Sequence, residues 1–399
     1  MSLYVGPNSP EILVEIDVTN DPTTGTMTWT DVTSDVRHAE WQRAGRSHEL
    51  NRTQAGSLTV VLNNQHAYFD TTDPLSPYYP GFKLSRRIRV SAVWASTTYI
   101  RWTGFIESIE QEWPGDGRDA ICVVRAVDNL AILNYVDLVG LEFDAGLTTE
   151  RYNDILLTTA TAGWAWTTGQ LSIAAIGPLG AGSSALSAIQ DAVEWEGGHL
   201  SISGAGVPHF ADRHYRLVTS TSTTSQGTIG DLPGEIRYVA GALTLDDQQL
   251  WNDVQVTPTG GTAEQSEDTP SQIAHWQRTL QRATGSASQT EAASTASYLA
   301  SIYSDPSPRI PSIELMVARD TSAWPIVLAA NNGYRFTWRR RATGHTIEAD
   351  VFVEGISEVV VPGRDWRVTF HVSPAIDLAG WVLGDAINGL LGETTVLVY

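Results

Sequence analysis

Along most of this chain, hydrophobic residues recur at every second position, which is the period of half-buried β-strands. Leu58, Val60 and Leu62 follow this period in the first third of the chain and predict a strand. The positions from Ile88 to Trp94 repeat it and predict a returning strand. Similar segments continue up to Ala126, so residues 1–140 predict one antiparallel β-barrel or sandwich.

The segment Phe69–Gly81 interrupts the alternation between these two strands. It contains several prolines, which have no backbone N–H with which to join the interior of a sheet. A loop stiffened in this way indicates a fixed platform rather than a mobile lid. Tyr78 and Tyr79 at its centre are candidate interface residues, and stacking of a sugar on them is the alternative.

The period changes to that of a helix after Thr148. One helix is predicted from Arg151 to Ala162, and a second from Ser184 to Glu196. Gly197-Gly198 ends the second helix, because glycine readily adopts the left-handed conformation that helix ends need. A hairpin with its turn at Gly204–Gly206 follows, and a helix followed by a hairpin predicts a small α+β domain.

Beyond a Ser/Thr-rich segment, Thr219–Gly227, which predicts an exposed linker or loop, strand patterns return. The polar segment Thr257–Ser271 predicts a loop. The remaining predicted elements are strands at Glu235–Thr244, Trp251–Val256, Pro308–Val317, Tyr334–Arg340, Ile347–Ile356 and Trp366–Val372, and a helix at Ala292–Tyr303. The predicted domains are an N-terminal β-barrel (1–140), a small α+β domain (141–216), a second β domain with one helix (217–374) and an apolar C-terminal segment (375–399).

A series of short motifs in the first third of the chain has a known counterpart. The motifs are Asp31–Arg37, Trp41, Gly45-Arg46, Glu49-Leu50, Ala55–Thr59, Leu62-Asn63, Phe69-Asp70, Ser76–Pro80, Arg87–Arg89 and Gly104–Glu107. The series resembles the minor tail proteins of long-tailed phages, and within them the tail-tip or baseplate-hub group. Gly355–Trp366 is similar to the same group, in which a strand, a turn and a Trp-led strand follow one another.

The resemblance implies a mainly β fold, with two antiparallel, tail-tube-like β-barrel domains flanking a small α+β domain. Three copies of such a chain provide six barrels, which match the sixfold tube above them. In this family a loop such as Ser76–Pro80 is part of the fold, and this interpretation is favoured here over a sugar site.

The resemblance also implies a structural role at the virion tail tip, after synthesis in the host cytoplasm. The chain would join the tail tube to distal tip proteins and line or close the DNA channel. Implied partners are two further copies in a homotrimer, the tail-tube or distal tail protein, the tape-measure protein and receptor-binding proteins, with DNA only in transit. The alternatives are a carbohydrate- or receptor-binding module that uses exposed aromatic residues, and a cell-wall hydrolase.

Composition adds two constraints to this interpretation. The net charge is −20 and Lys83 is the only lysine, which argues against a groove that grips nucleic acid but permits a wall past which DNA slides. The 14 Trp and 13 Tyr residues favour an assembly component, because these side chains are common at interfaces.

Arg339, Arg340 and Arg341 form the densest basic cluster. Salt bridges to a partner protein, or a solvated hairpin end, are favoured there over a nucleic-acid site.

No pattern for catalysis is found, and we predict no enzymatic activity, no cofactor and no required metal. The sequence contains no HExxH, G-x-S-x-G or GK[ST] motif and no cysteine cluster. His209, Asp212 and His214 could supply metal ligands, but a solvated strand end is favoured. The acidic pairs, such as Asp246-Asp247, are expected in any acidic protein of this length.

Two further segments carry expectations. Cys122 stands in an apolar run and predicts a buried structural thiol. No secretory signal and no membrane span is predicted. The C-terminal segment from Ala375 to Tyr399 has no basic residue and predicts docking to a neighbouring subunit, with Trp381 and Leu383 as anchors. The alternative is a terminal helix packed on its own β domain.

Overall fold

The computed structural model describes residues 3–4, 8–23, 25–159, 165–341, 344–363 and 365–375, and its fold is mainly β. The strands are β1 (Leu3–Tyr4), β2 (Glu11–Ile16), β3 (Thr30–Asp31), β4 (Val36–Gln42), β5 (Ser57–Asn63), β6 (Arg87–Trp94), β7 (Thr97–Glu112), β8 (Ile121–Val127), β9 (Gly146–Leu147), β10 (Ala165–Trp166), β11 (Ser172–Ile173), β12 (His199–Ile202), β13 (Pro208–Ala211), β14 (Thr228–Gly230), β15 (Ile236–Gly241), β16 (Asp253–Pro258), β17 (Glu264–Glu267), β18 (Thr279–Thr284), β19 (Ser312–Leu315), β20 (Arg335–Arg340), β21 (Ile347–Val361) and β22 (Asp365–Pro374). The helices are α1 (Asn129–Leu133), α2 (Thr148–Thr159), α3 (Ala185–Glu196), α4 (Tyr215–Val218), α5 (Ser220–Thr223), α6 (Thr269–His275), α7 (Gln289–Tyr303) and α8 (Trp324–Ala329).

Six strands between Thr228 and Pro374 close into a barrel. They pair in the order β21, β20, β14, β15, β19 and β22, and β22 pairs again with β21. On β22, the alternate residues Trp366, Val368, Phe370 and Val372 are buried inside this barrel, as the period of two predicts. Closure leaves the barrel without the free sheet edges that promote aggregation.

The N-terminal strands form a strongly curved sheet in the order β2, β6, β7, β8, β5 and β4. β3 pairs with β2 and leads through a 3-10 turn into β4, so the two ends of this sheet meet at one corner. There the Val32 N–H donates to the Val14 carbonyl oxygen over 2.9 Å, and the Val14 N–H donates to Thr33 Oγ1 over 2.8 Å. The other edge of β4 pairs with β21, and one hydrophobic core therefore extends through both sets of strands.

The loop Phe69–Gly81 lies between β5 and β6, as its prolines predict, and it packs into the fold. Phe69 is fully buried and stacks on Tyr78, with ring centroids 5.3 Å apart. The Tyr79-Pro80 peptide is cis. A Cβ atom at Gly81 would lie 1.9 Å from the Val18 carbonyl oxygen, so only glycine fits against this neighbouring strand end.

Helices α2 and α3 share a hydrophobic core with the β12–β13 hairpin. Ser184 caps α3, where its Oγ accepts from the Ser187 N–H over 3.2 Å. Gly197 ends the helix with φ +66°, as predicted. The α2 helix begins at Thr148, earlier than its apolar period indicates.

A second α+β unit lies between β15 and β19, where the sequence predicted a strand, a polar loop and a helix. β16 is central, with β17 antiparallel on one side and β18 parallel on the other, and α7 packs on one face. The loop predicted at Thr257–Ser271 is wrong, because it contains β17 and the start of α6. β17 is a polar edge strand and has no apolar period of its own. It forms a strand because it pairs with β16.

The linker predicted at Thr219–Gly227 is also partly wrong. It contains the short helix α5, in which Ser222 is fully buried. The Ser222 Oγ donates to the Gly333 carbonyl oxygen over 2.8 Å and ties this segment to the barrel. A Ser/Thr-rich composition did not reveal this, because the contact lies 111 residues further along the chain.

Cys122 lies on β8 and is fully buried, which confirms the predicted structural thiol. Burial raises the pKa of this thiol to about 12, and the thiolate is the reactive form. We expect an aromatic disulfide reagent to label the folded protein only as fast as it unfolds, and to label it at once in denaturant. Rapid labelling of the folded protein at neutral pH would contradict this burial.

Candidate functional site

The structure does not bring the candidate metal ligands together. The His209 ring packs against Tyr215, with centroids 5.3 Å apart, and Asp212 accepts hydrogen bonds from Thr167 and Gln170. No group of three His, Cys, Asp or Glu side chains within the described residues is arranged to hold a metal ion. No helix in that part of the chain is both long and apolar enough to cross a membrane.

The basic cluster on β20 and just beyond it is paired within the chain. Arg339 Nε lies 2.6 Å from Glu348 Oε2. Arg341 Nη1 lies 2.7 Å from Asp231 Oδ1, and Arg341 Nη2 lies 2.7 Å from Glu235 Oε1. Two of the three arginines therefore stabilise the rim of the barrel, and Arg340 lies between them.

The other candidate interface residues have different positions. Tyr78 is half-buried against the N-terminal core, whereas Tyr79 is 47% exposed on the same loop. Trp381 and Leu383, together with the rest of the predicted docking segment except Ala375, lie outside the described residues.

Two buried carboxylates on β21, which the sequence analysis missed, connect the units of the chain. The first, Glu358, accepts hydrogen bonds from Arg101 Nη2 over 2.6 Å and Arg101 Nε over 2.9 Å. The indole N–H groups of Trp41 and Trp366 donate to the same carboxylate over 3.2 and 3.0 Å. Arg101 also donates to the Leu328 carbonyl oxygen. This cluster fixes β7 and β4 of the N-terminal sheet to the C-terminal barrel.

The second carboxylate, Glu354, joins three units. Arg46, just after β4, and Arg216, on α4, each place a guanidinium nitrogen 2.7 Å from one of its oxygens. The Ser373 Oγ on β22 donates to it over 2.6 Å, and His199 Nε2 on β12 lies 3.7 Å away. Burial raises the pKa of this carboxyl, but the two guanidinium groups and His199 outweigh burial and lower the pKa well below its usual value. The carboxylate is therefore charged in the folded protein.

A sequence signal for both carboxylates does exist. Glu354 and Glu358 are the only charged residues in the stretch Val351–Val361, and a charge in such a strand is either exposed or paired. What the sequence does not contain is the identity of their partners, which lie up to 317 residues away. The arrangement holds three units in one fixed relation and leaves no open site for chemistry around these two carboxylates.

An exposed apolar strip lies on the side of the barrel that faces away from the β4–β21 seam. Val239 on β15, and Leu243 and Leu245 just after it, are 50%, 46% and 66% exposed. In the barrel's pairing order, two strands separate β15 from β21 in either direction. The strip therefore lies across the barrel from the seam at which β21 joins the N-terminal sheet, and it is a candidate contact surface.

Comparison with known proteins gives the fold a context. The sequence matches no protein-family model and no curated protein. The structure is similar to that of a tail protein from Neisseria meningitidis MC58, with a TM-score of 0.60 at 12% identity, covering 91% of this chain and 96% of that one. It is also similar to the 43 kDa tail protein of prophage MuSo2 from Shewanella oneidensis, with a TM-score of 0.59 at 12% identity, covering 92% and 97%.

A third similar structure is part of a protein complex. A chain of the Francisella PdpA-VgrG complex has a TM-score of 0.52 at 8% identity, covering 92% of this chain and 53% of that one. This chain thus spans about half the length of that relative. The resemblance to phage tail proteins, inferred from short motifs, is thereby confirmed at the level of the fold.

Proposed function

We propose that this protein is a structural component of a phage tail tip, a baseplate hub that joins the tail tube to distal tip proteins. The observation that carries the proposal is the joining of two curved strand sets through β4 and β21, one of them a closed barrel. Two tube-like barrels that flank α+β units are what a hub needs to continue a tube. The solved structures described as tail proteins share the fold along nearly their whole length.

The hub acts as a homotrimer on this proposal. One face of each barrel is already paired within the chain at the β4–β21 seam, and the opposite face carries the strip Val239–Leu245. The apolar strip packs against the N-terminal sheet of the next copy, which removes it from water. Three copies joined in this way form a closed ring of six barrels. The neighbouring sheet presents Trp113, which directly follows β7 and is 62% exposed.

The remaining roles follow from this position. The proposed domains are residues 1–140, 141–216 and 217–374, with 375–399 docking to a neighbouring subunit. Proposed partners are the tail-tube or distal tail protein, the tape-measure protein and receptor-binding proteins. The net charge of −20 suits a channel wall that repels DNA phosphates, so DNA passes without sticking. The function is geometric, and we propose neither catalysis nor a cofactor.

Introducing charge into the strip tests the trimer. We expect the double variant Val239→Glu, Leu245→Glu to fold but to fail to enter tail particles, because two carboxylates would lose their hydration in the contact. Leu157→Glu, at a site 81% exposed on α2, is the matched control and should assemble normally. The measurement is the copy number per tail in a particle reconstruction, expected to be three. Normal incorporation of the double variant, or a sixfold or single copy, would refute the trimer.

A further inference from the structure

The β17–β16–β18 sheet has one covered face and one open face. Val254 and Val256 on β16 point into the core beneath α7. The alternating residues therefore point the other way. On that open face the strand register places Gln265, Gln255 and Gln281 in one row across the three strands. Gln265 and Gln281 are exposed, so no other part of the described chain covers the row.

A buried carboxylate orients Gln265 of this row and also Gln277. Asp253, which is fully buried under them, accepts from Gln265 Nε2 over 2.8 Å, from Gln277 Nε2 over 2.7 Å and from Thr279 Oγ1 over 2.7 Å. A carboxylate only accepts hydrogen bonds, so each of these glutamines must turn its NH2 group inward. Gln265 and Gln277 then each have a carbonyl oxygen and one remaining N–H for a ligand, whereas the Gln255 carbonyl oxygen already accepts from Gln281 Nε2 over 3.3 Å. The face is thus preorganised for hydrogen bonding.

An exposed aromatic ring belongs to the residue before Gln277, one of the two glutamines that Asp253 orients. Trp276 directly precedes Gln277, is 83% exposed and has φ +66° and ψ 157°. That backbone conformation is essentially confined to glycine and costs another residue on the order of 1–3 kcal/mol. The fully buried Asn252 maintains it, since its Nδ2 donates to the Trp276 carbonyl oxygen and its Oδ1 accepts from the Arg278 N–H, each over 2.8 Å. The strained backbone of Trp276 is maintained by the buried Asn252, while the indole ring is exposed to solvent. This combination indicates a functional position.

We propose that this open face binds a neutral polysaccharide, with Trp276 stacking on a sugar ring and the glutamine row hydrogen-bonding its hydroxyl groups. A hydroxyl both donates and accepts, which matches the C=O and N–H pair of each fixed amide. The outward positions carry no large apolar side chain, so a protein partner would gain little from burial there. They carry the exposed Glu267 and no arginine or lysine, which disfavours an acidic polysaccharide.

Affinity electrophoresis of the full-length protein through gels that contain a neutral glucan, galactan or mannan tests the site. We expect at least one of them to retard the protein. Trp276→Ala and Gln281→Ala should each weaken the apparent affinity about tenfold, which corresponds to about 1.4 kcal/mol. Both residues are exposed, so unchanged thermal unfolding of each variant will show that the fold is intact. Trp166→Ala, which removes an exposed tryptophan elsewhere, is the control and should bind as the parent does.

Each other outcome overturns the proposal. If none of the neutral gels retards the protein, the face does not bind this class of ligand. Retardation that survives both substitutions places the sugar elsewhere, and equal retardation by polygalacturonate contradicts the charge argument. The isolated protein suffices for the experiment, so its result is independent of copy number and of the role proposed in the tail.

Discussion

Replacing Glu354 with glutamine is expected to lower the free energy of unfolding by about 3–5 kcal/mol, the usual cost of breaking a buried ion pair. Glutamine has nearly the same shape and can still accept from Ser373. It removes the negative charge between Arg46 and Arg216, which leaves two largely buried guanidinium groups without a counter-charge. Urea unfolding of the two proteins measures the difference.

The same substitution should change the dependence of stability on pH. The pKa of Glu354 lies well below its usual value in the folded state, so as the pH falls the unfolded chain takes up this proton first. The stabilisation is complete above about pH 4.3, the usual carboxyl pKa, and is lost progressively below it. We therefore expect the variant to lose less stability than the parent between about pH 4.3 and the acid limit.

Glu348→Gln on the same strand is the matched control. Glu348 also pairs with an arginine over 2.6 Å, but its side chain is 51% exposed. Exposed pairs contribute about 0–1 kcal/mol, so this variant should unfold nearly as the parent does. Equal losses for the two variants would show that burial of the Glu354 cluster does not matter to stability.

Replacing Arg101 with methionine is the second large expected effect, again about 3–5 kcal/mol of unfolding free energy. It would leave the Glu358 carboxylate buried, with only the indole N–H groups of Trp41 and Trp366 as donors. Because Glu358 connects the N-terminal sheet to the barrel, we also expect the variant to expose the β4–β21 seam to hydrogen exchange before the barrel core.

A double-mutant cycle separates this pair from its surroundings. Arg101→Met combined with Glu358→Met removes both charges of this pair, so its cost should fall clearly below the sum of the two single costs. Arg125→Met is the control, since Arg125 and Glu110 lie 2.8 Å apart with both side chains about half exposed. If the double variant costs the full sum, or the control costs as much as Arg101→Met, the seam does not depend on this ion pair.

Elements with their own local signal were predicted from the sequence. The helix at Ala185–Glu196 has an apolar period, a serine cap and a terminal glycine, all of which act within a few residues. β17 and α5 were missed, because their polar residues give no apolar period. β17 forms by pairing with β16, and α5 is held by a contact with the distant Gly333. The boundary errors have the same cause, since pairing with a neighbouring strand extends β21 well past its predicted end at Ile356.

The sequence by itself therefore determined the long apolar strands, helix α3 and a resemblance to tail proteins, because periodicity, caps and short motifs are local properties. Only the tertiary structure decided that β14 and β15 pair in parallel inside a closed barrel, and that β4 continues into β21. It alone also decided the partners of Glu354 and Glu358, and the row of glutamines over Asp253. The physical reason is the same throughout: a strand leaves its hydrogen bonds, and a buried charge its counter-ion, to be supplied by residues far away in the chain.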